Sequence, residues 1–200
     1  MLVTALYRST PATFAALAAL LTLNPAFSAE VTIGARTLRV ADGYTVELAV
    51  DSSLVGRPIA VARDERGRLY VTDSGGMSER AEKQLELKPH NIRRVEDTNG
   101  DGVYDKSVLF ADKMMFPEGC LWYEGSLYVA APPEIWKLTD TDDDGSADKR
   151  EVWFDGKTLT GCGNDLHGPY LGHDGRFYWC KGAFAEQKHM LSDGNDLVTR

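Results

Sequence analysis

Two short segments of the chain carry oxygen-bearing side chains at alternate positions: "DTNGDGVYD" at 97–105 and "DTDDDGSAD" at 140–148. Both fit the pattern D-x-[DN]-x-D-G-x-x-D, in which the glycine permits a sharp bend. Alternate residues of such a loop can turn their oxygens towards one point, and calcium takes about six to eight oxygen ligands. We therefore predict two calcium sites, each with one backbone carbonyl ligand, from Val103 and Ser146. The predicted ligands are Asp97, Asn99, Asp101, Val103 and Asp105, and Asp140, Asp142, Asp144, Ser146 and Asp148.

Other interpretations of these segments start from their flanks and their turn chemistry. A helix-flanked EF-hand would place a bidentate Glu at its last position. Here that position holds Val108 and Glu151, and strand-like sequence flanks both segments. The segments are therefore interpreted as calcium hairpins between strands. Asp, Asn and Gly also form solvated turns without a metal, and magnesium is an alternative ion that prefers fewer protein ligands. Packed carboxylates without a cation repel one another, which favours a bound ion.

The acidic segments belong to a larger repeat. At one fixed offset Asp97 matches Asp140, and Ile92 matches Ile135. A second repeat, "DERGRLYVTD", "YEGSLYVAA" and "HDGRFYWCK", places a glycine before a hydrophobic and aromatic pair. The repeats predict hairpin turns at three glycines, Gly67, Gly125 and Gly175. Repeats of about 40 to 50 residues are typical of four-stranded propeller blades.

The predicted fold is all-β, a β-propeller with four-stranded blades. The segments are an N-terminal strand at 38–50, blades at 57–112 and 117–156, and the start of another blade at 165–200. Since propellers need about four blades or more, about three blades would be an incomplete N-terminal portion of a longer protein. Helical sequence is expected only at Ser78–Lys88, before Pro89. A closed sandwich of two sheets is the alternative.

The first 28 residues have the composition of a secretory signal peptide. Arg8 precedes the apolar run "ATFAALAALLTL", and small residues in "NPAFSAE" favour cleavage after Ser28. This predicts export to the periplasm or cell surface; an uncleaved anchor is the alternative. The run is shorter than the about 20 residues of a membrane span, so we expect no transmembrane helix in this segment. After export Cys162 and Cys180 could form a disulfide, although free cysteines are equally compatible with the sequence.

The charge balance bears on the choice of partner. The chain has 22 Lys and Arg against 30 Asp and Glu, for a net charge of -8. Binding to phosphate backbones requires a basic surface. The composition therefore argues against a nucleic-acid partner.

A second set of candidate residues lies at the starts of the first strands of the predicted blades. Aligning the blades puts Arg57, the Pro117–Glu118 pair and His167 at equivalent positions, on the face opposite the calcium hairpins. His167 is a candidate general base, with Asp165 fixing its tautomer. Arg57 is a further candidate catalytic residue. The alternative is that His167 only bonds a neighbouring loop, and calcium is expected to be structural.

Two longer motifs carry a family resemblance: "PEGCLWYEGSLYVAAPPEIW" at 117–136 and "NDLHGPYLGHDGRFYW" at 164–179. With the acidic hairpins, they make the chain resemble the N-terminal propeller of an exported, multidomain family of membrane-bound dehydrogenases. That family is similar to the quinoprotein glucose/sorbosone dehydrogenases. The resemblance covers nearly all of the chain after residue 28.

The resemblance implies oxidation of a sugar hydroxyl or aldehyde with pyrroloquinoline quinone (PQQ), with His167 as the base. It also implies downstream domains of the same polypeptide, including helical repeats and a haem c segment that would accept electrons. The alternative is a non-catalytic propeller that binds glycans or protein partners. A hydrolase or lactonase with a catalytic metal in the central channel would need a ligand cluster that these residues do not supply.

Overall fold

The computed structural model describes residues 2–7, 29–182, 184, 186–191 and 193–199. Within these residues the chain forms β-strands in antiparallel sheets and one short helix, α1 (Ala81–Leu87). The prediction of an all-β fold is confirmed at this level. The described part of the chain has no helix with the length and apolar character that a bilayer crossing requires.

Two-stranded pairs form at both ends of the described chain. The N-terminal pairs are β1 (Leu2–Tyr7) with β4 (Tyr44–Val50), and β2 (Ala29–Ile33) with β3 (Arg36–Val40). Strands β13 (Leu166–Leu171) and β14 (Phe177–Lys181) pair, as do β15 (Gln187–Met190) and β16 (Asp196–Thr199). Between them lie two larger sheets.

Each of the larger sheets contains four consecutive strands, and every strand hydrogen-bonds to the next one along the chain. The first sheet consists of β5 (Pro58–Arg63), β6 (Leu69–Asp73), β7 (His90–Glu96) and β8 (Lys106–Met114). The second consists of β9 (Gly119–Tyr123), β10 (Ser126–Ala131), β11 (Glu134–Thr139) and β12 (Lys149–Asp155). These strands match the predicted ones to within a few residues, because period-two sequence separated by turn residues specifies strands locally.

Glycines form the predicted tight turns between the first and second strands. Gly67 turns β5 into β6 with φ +87°, and Gly125 turns β9 into β10 with φ +77°. Gly175, with φ +76°, does the same between β13 and β14. Since L side chains rarely adopt this backbone region, glycine fixes the hairpin positions from sequence alone.

The apolar core lies between the sheets. Tyr70 of the first sheet is fully buried, packs edge-on against Phe110 and stacks on Trp122 of the second sheet with ring centroids 4.6 Å apart. On the other side of the second sheet, Tyr128 packs against Phe177 of β14. Trp122, Trp153 and Trp179 therefore pack with other aromatic residues, as is typical of strand positions.

The first strands of successive units lie next to each other: β5 beside β9, and β9 beside β13. Strand register puts the starts of β5 and β9 at one end of their sheets, and the acidic segments at the opposite end. The two predicted groups of functional residues are therefore at opposite ends of the sheets.

Several local predictions need correction. Helix α1 is shorter than predicted and ends at Leu87, where the left-handed backbone of the C-cap residue Lys88 (φ 46°) precedes Pro89. The apolar and aromatic residues of "PYLGH" at 169–173 predict the first strand of the last unit, but β13 begins three residues earlier and has a register shift between His167 and Tyr170. All three cysteines are free, so no disulfide joins Cys162 to Cys180.

The N-terminal region also departs from the expected pattern. The alternation in the sequence of β4 favours burial of Tyr44, Val46, Leu48 and Val50, but Tyr44 is 45% exposed while Ala49 is buried. Its partner β1 lies within the predicted signal peptide, residues 1–28. The remainder of that peptide, with its apolar run and cleavage point, lies outside the described residues.

Candidate functional site

The first acidic hairpin, residues 97–105, joins β7 to β8 and is closed by its own side chains. Asp97 accepts hydrogen bonds from the backbone N–H groups of Gly100 (2.7 Å) and Gly102 (2.8 Å). Asp105 accepts from the N–H of Thr98 (3.1 Å) and from its hydroxyl. The backbone N–H of Gly102 makes the largest contribution to lowering the pKa of Asp97. The hairpin therefore holds these carboxyl groups in fixed orientations.

The second acidic hairpin, residues 140–148, joins β11 to β12 with the same bonding pattern. Asp140 accepts from the N–H of Gly145 (2.9 Å), and Asp148 accepts from the N–H of Thr141 (3.0 Å) and its hydroxyl (2.7 Å). The middle positions match as well. In the first hairpin, the side chain of Asn99 accepts from the N–H of Asp101, and the side chain of Asp101 accepts from the N–H of Val103. In the second, the side chain of Asp142 accepts from the N–H of Asp144, and the side chain of Asp144 accepts from the N–H of Ser146. One loop conformation is thus built twice.

The second acidic hairpin also gathers oxygens around one point. Carboxylate oxygens of Asp140, Asp142 and Asp148 all lie within 4.8 Å of one another. The side chain of Asp140 is only 5% exposed, and its Oδ1 has no hydrogen-bond partner. A buried carboxylate oxygen without a partner is costly, and a hard cation would satisfy it. These residues therefore fit calcium by donor type and arrangement.

Arginines of the first sheet neutralise part of the charge of the second hairpin. Arg94 of β7 has a 4% exposed side chain, and its Nη1 lies 3.0 Å from Oδ2 of Asp140. Its Nη2 lies 2.7 Å from Oε1 of Glu96. Arg94 thus occupies one oxygen of the Asp140 carboxylate and leaves the other free, a link that the local sequence pattern did not predict.

Asp143, at the fourth position of the second hairpin, binds two further arginines. Its Oδ1 lies 2.6 Å from Nη1 of Arg68, and its Oδ2 forms an ion pair with Arg66. Bonds from Arg68 and then Arg66 lower its pKa to about 2. The first hairpin has Gly100 at this position. The replacement of this glycine by an aspartate in the second repeat was the one feature of the sequence that could have indicated a contact between the sheets.

At the opposite end of the sheets, Glu118 and His167 lie side by side. Oε2 of Glu118 is 3.3 Å from Nδ1 of His167, and the Glu118 side chain is 7% exposed. Burial, followed by the nearby charge of Asp165, raises the pKa of Glu118 to about 8. The pair combines a buried protonated carboxyl with a partly exposed imidazole, a combination suited to proton transfer.

Asp165 does not have the hydrogen-bond partner that we expected. Its residue is fully buried, and its two carboxylate oxygens accept from the N–H (2.6 Å) and hydroxyl (2.7 Å) of Thr160. Glu118, rather than Asp165, faces Nδ1 of His167. The alignment of strand starts placed Glu118 at a position equivalent to His167. Asp165 was nevertheless predicted to be the partner of the His167 ring, because it lies two residues away in the sequence.

Arg57 lies just before β5 at the same end of the sheets. Its N–H donates to Oδ1 of Asp73 (2.6 Å), and its carbonyl accepts from the N–H of Ser74 (2.9 Å). Its guanidinium packs beside Gly76. The backbone of Arg57 therefore helps to hold the start of β5 against the end of β6, and its side chain lies at the 74–76 turn.

The described residues around His167 do not fit PQQ. The quinone is a flat, polyanionic group, and such a group requires cations and planar apolar contacts. The side chains that the structure brings together here are the carboxyls of Glu118 and Asp165 with one imidazole. Neither carboxyl group supplies a cation for a polyanion, and the nearby charge of Asp165 would repel it.

Two cavities lie elsewhere on the described chain. One of about 1020 Å³ is bordered by β2, β4 and the first acidic hairpin, and includes Arg63 and Arg66. Another of about 210 Å³ is lined by Met114, Trp136 and Arg150. Neither is lined by Glu118 or His167, so that pair lies outside these two cavities.

These features define a class of all-β protein: consecutive antiparallel sheets whose outer hairpins repeat an acidic loop. Residues 31–200 match the family described as "Domain of unknown function (DUF7133)". The chain therefore belongs to the DUF7133 family. No curated protein sequence matches it.

Proposed function

We propose that the chain forms blades of an exported β-propeller whose acidic hairpins bind calcium. The second hairpin supports this most directly, because it gathers the carboxylates of Asp140, Asp142 and Asp148, and Asp140 keeps a buried oxygen without a partner. The first hairpin repeats the same ligand pattern in sequence. The two four-stranded sheets, with their first strands side by side, support the propeller. Calcium would stabilise the outer ends of the sheets, far from the Glu118–His167 pair.

Calcium titration of the full chain tests this proposal. Isothermal calorimetry should detect binding, and the melting temperature should rise when calcium is added. Asp144→Ala and Asp101→Ala each remove one hairpin ligand and should reduce that rise. Asp193→Ala, in an exposed turn outside both hairpins, is the matched control. Absence of calcium binding, or an equal calcium response in all four proteins, would contradict the proposal.

A second candidate function is sugar oxidation, supported by the Glu118–His167 pair and by the resemblance to sugar dehydrogenases. The imidazole of His167 could accept the proton of a sugar hydroxyl, and Glu118 would hold the ring in position through Nδ1. Oxidation of the hydroxyl also releases two electrons, which would need an acceptor bound outside the described residues, because these residues do not fit PQQ. The proton-transfer role therefore belongs to this chain, and the electron acceptor is a separate question.

Dye reduction with a panel of aldoses tests the second candidate. Turnover that His167→Ala abolishes, with calcium binding unchanged, would support it. Tight sugar binding without turnover would instead support the alternative of a non-catalytic propeller that binds glycans. Neither turnover nor sugar binding would direct attention to protein partners.

A further inference from the structure

We propose that the second acidic hairpin is an inter-sheet metal site: an ion bound there locks the second sheet onto the first, whereas an ion in the first hairpin does not. The inference rests on the calcium binding proposed above and assigns different roles to the two copies. Three contacts across the sheet boundary carry it.

The first contact is between the carboxylate of Asp140 and Arg94, and a bound ion would share that carboxylate. Oδ2 of Asp140 is held by Arg94 of β7 at 3.0 Å, while Oδ1 has no partner. An ion held by Asp140, Asp142 and Asp148 would bind the free oxygen. The ion and the first sheet would then hold opposite sides of one carboxylate, which would be fixed in a single orientation.

The second contact continues from Asp143 into the first sheet. Asp143 binds Arg68, whose Nε lies 2.6 Å from Oδ2 of Asp64. Oδ1 of Asp64 in turn accepts the backbone N–H groups of Arg66 (3.0 Å) and Arg68 (2.8 Å). A chain of charge-assisted bonds thus links the second hairpin to the β5–β6 turn. Asp64 is buried, so the Arg68–Asp64 part of this chain is poorly screened by solvent, whereas the Asp143 side chain is 50% exposed.

The third contact is a backbone hydrogen bond. The N–H of Ala147, inside the second hairpin, donates to the carbonyl of Phe110 in β8 at 2.8 Å. Fixing the hairpin backbone around an ion would also fix this bond. At the equivalent position of the first hairpin, the N–H of Tyr104 instead donates to the carbonyl of Ala49 in β4 at 3.3 Å. That bond joins the first hairpin to the preceding strand pair and not to the second sheet.

Asp143 has a conformation that favours glycine, which supports a specific role for its side chain. Its φ is +62°, whereas Gly100 provides a φ of +78° at the same position of the first hairpin. A non-glycine residue in the left-handed region is conformationally strained. The carboxylate compensates by binding Arg66 and Arg68, which a glycine could not do.

Hydrogen exchange on the full chain, with and without saturating calcium, tests the inference in an Asp101→Ala background that weakens the first site. We expect calcium to slow exchange by about five-fold or more at the β5–β6 turn and in β7, as well as in residues 140–148. Calorimetry on the same sample establishes whether calcium is bound.

The decisive variant is Asp143→Gly, which copies the first hairpin and leaves every predicted ligand in place. It should still bind calcium but lose the calcium-dependent protection of the β5–β6 turn. As a matched control, Asp193→Gly makes the same substitution in an exposed turn outside both hairpins and should keep the effect. If the Asp143→Gly variant retains the calcium-dependent protection of the β5–β6 turn from hydrogen exchange, the inference is wrong.

The outcomes separate the two proposals. Calcium binding with protection confined to residues 140–148 would overturn the inter-sheet role while leaving the metal site intact. No calcium binding by calorimetry would overturn the metal site itself, and the inter-sheet role with it. Binding together with protection across the boundary supports both.

Discussion

Equivalent carboxylates in a repeat can have different energetic roles, because their neighbours differ. Asp97 and Asp140 occupy the same position of the two hairpins. Asp97 accepts hydrogen bonds from its own loop, whereas Asp140 is buried against Arg94. Removing one partner of a buried ion pair leaves the other charge uncompensated.

We predict that Asp140→Ala destabilises the protein far more than Asp97→Ala, even without calcium. The buried guanidinium of Arg94 would keep Glu96 but lose Asp140, at a cost of about 3 kcal/mol. Urea unfolding in the presence of a chelator measures this difference. Equal losses for the two variants would show that Arg94 does not depend on Asp140.

Glu118 gives a prediction about pH. Its pKa rises from 4.5 to about 8 on folding, so the folded state holds a proton that the unfolded state releases between these values. Its contribution to stability is therefore complete below about pH 4.5 and is lost as pH rises to about 8. The slope approaches about 1.4 kcal/mol per pH unit.

Glu118→Gln mimics the protonated carboxyl and should remove this slope. We expect the difference in unfolding free energy between the variant and the original chain to grow in favour of the variant from pH 5 to pH 8. Urea unfolding across that range measures it. A constant difference would mean that Glu118 is ionised in the folded protein.

The hairpin is the element that the repeat specifies, and its sixth residue is glycine in both copies. Gly102 is exposed with φ +91°, and a Cβ added there would have no neighbouring atom within 4 Å. Gly145 is buried with φ +103°, and a Cβ there would lie 2.8 Å from Arg94 and 3.0 Å from Val108. Gly145 is therefore required both for the backbone bend and for the close packing of the second hairpin against the first sheet.

Gly102→Ala should cost about 1 to 2 kcal/mol, since only the backbone conformation is strained. Gly145→Ala should cost more, because the methyl group also displaces the Arg94 guanidinium from its partners. Thermal and urea unfolding of the two variants compare them directly. Similar losses would argue against tight packing of the second hairpin on the first sheet.

For the whole molecule, the close approach of the first strands determines how the units fit together. A Cβ on Gly119, at the start of β9, would lie 2.3 Å from the carbonyl oxygen of Gly168 in β13. That oxygen belongs to the backbone, so it cannot move aside as a flexible side chain would. Glycine is required here for contact between neighbouring units.

Gly119→Ala should therefore destabilise the protein by about 2 to 3 kcal/mol by forcing β9 and β13 apart. Gly161→Ala is the matched control, because Gly161 is exposed and has nothing within 4 Å of its added methyl group. Melting temperatures report the difference. A loss no larger than that of the control would contradict the close packing of the two strands.

Most strands and turns were predictable because their signals are local. Alternating apolar residues and the glycines at 67, 125 and 175 define hairpins without reference to distant sequence. The start of β13 was misplaced, since the bulge between His167 and Tyr170 depends on pairing with β14. The burial of individual residues in β4 was also not predictable, because it depends on which elements pack against that strand.

The sequence by itself determined the all-β class and the two acidic hairpins, because strand periodicity, turn glycines and alternate oxygen ligands all act within a few residues. Only the tertiary structure decided the partners of the charged groups. Arg94 lies far from Asp140 along the chain, and Glu118 far from His167, yet each pair is in contact. Electrostatic interactions depend on distance in space and on burial, and packing of the sheets sets both.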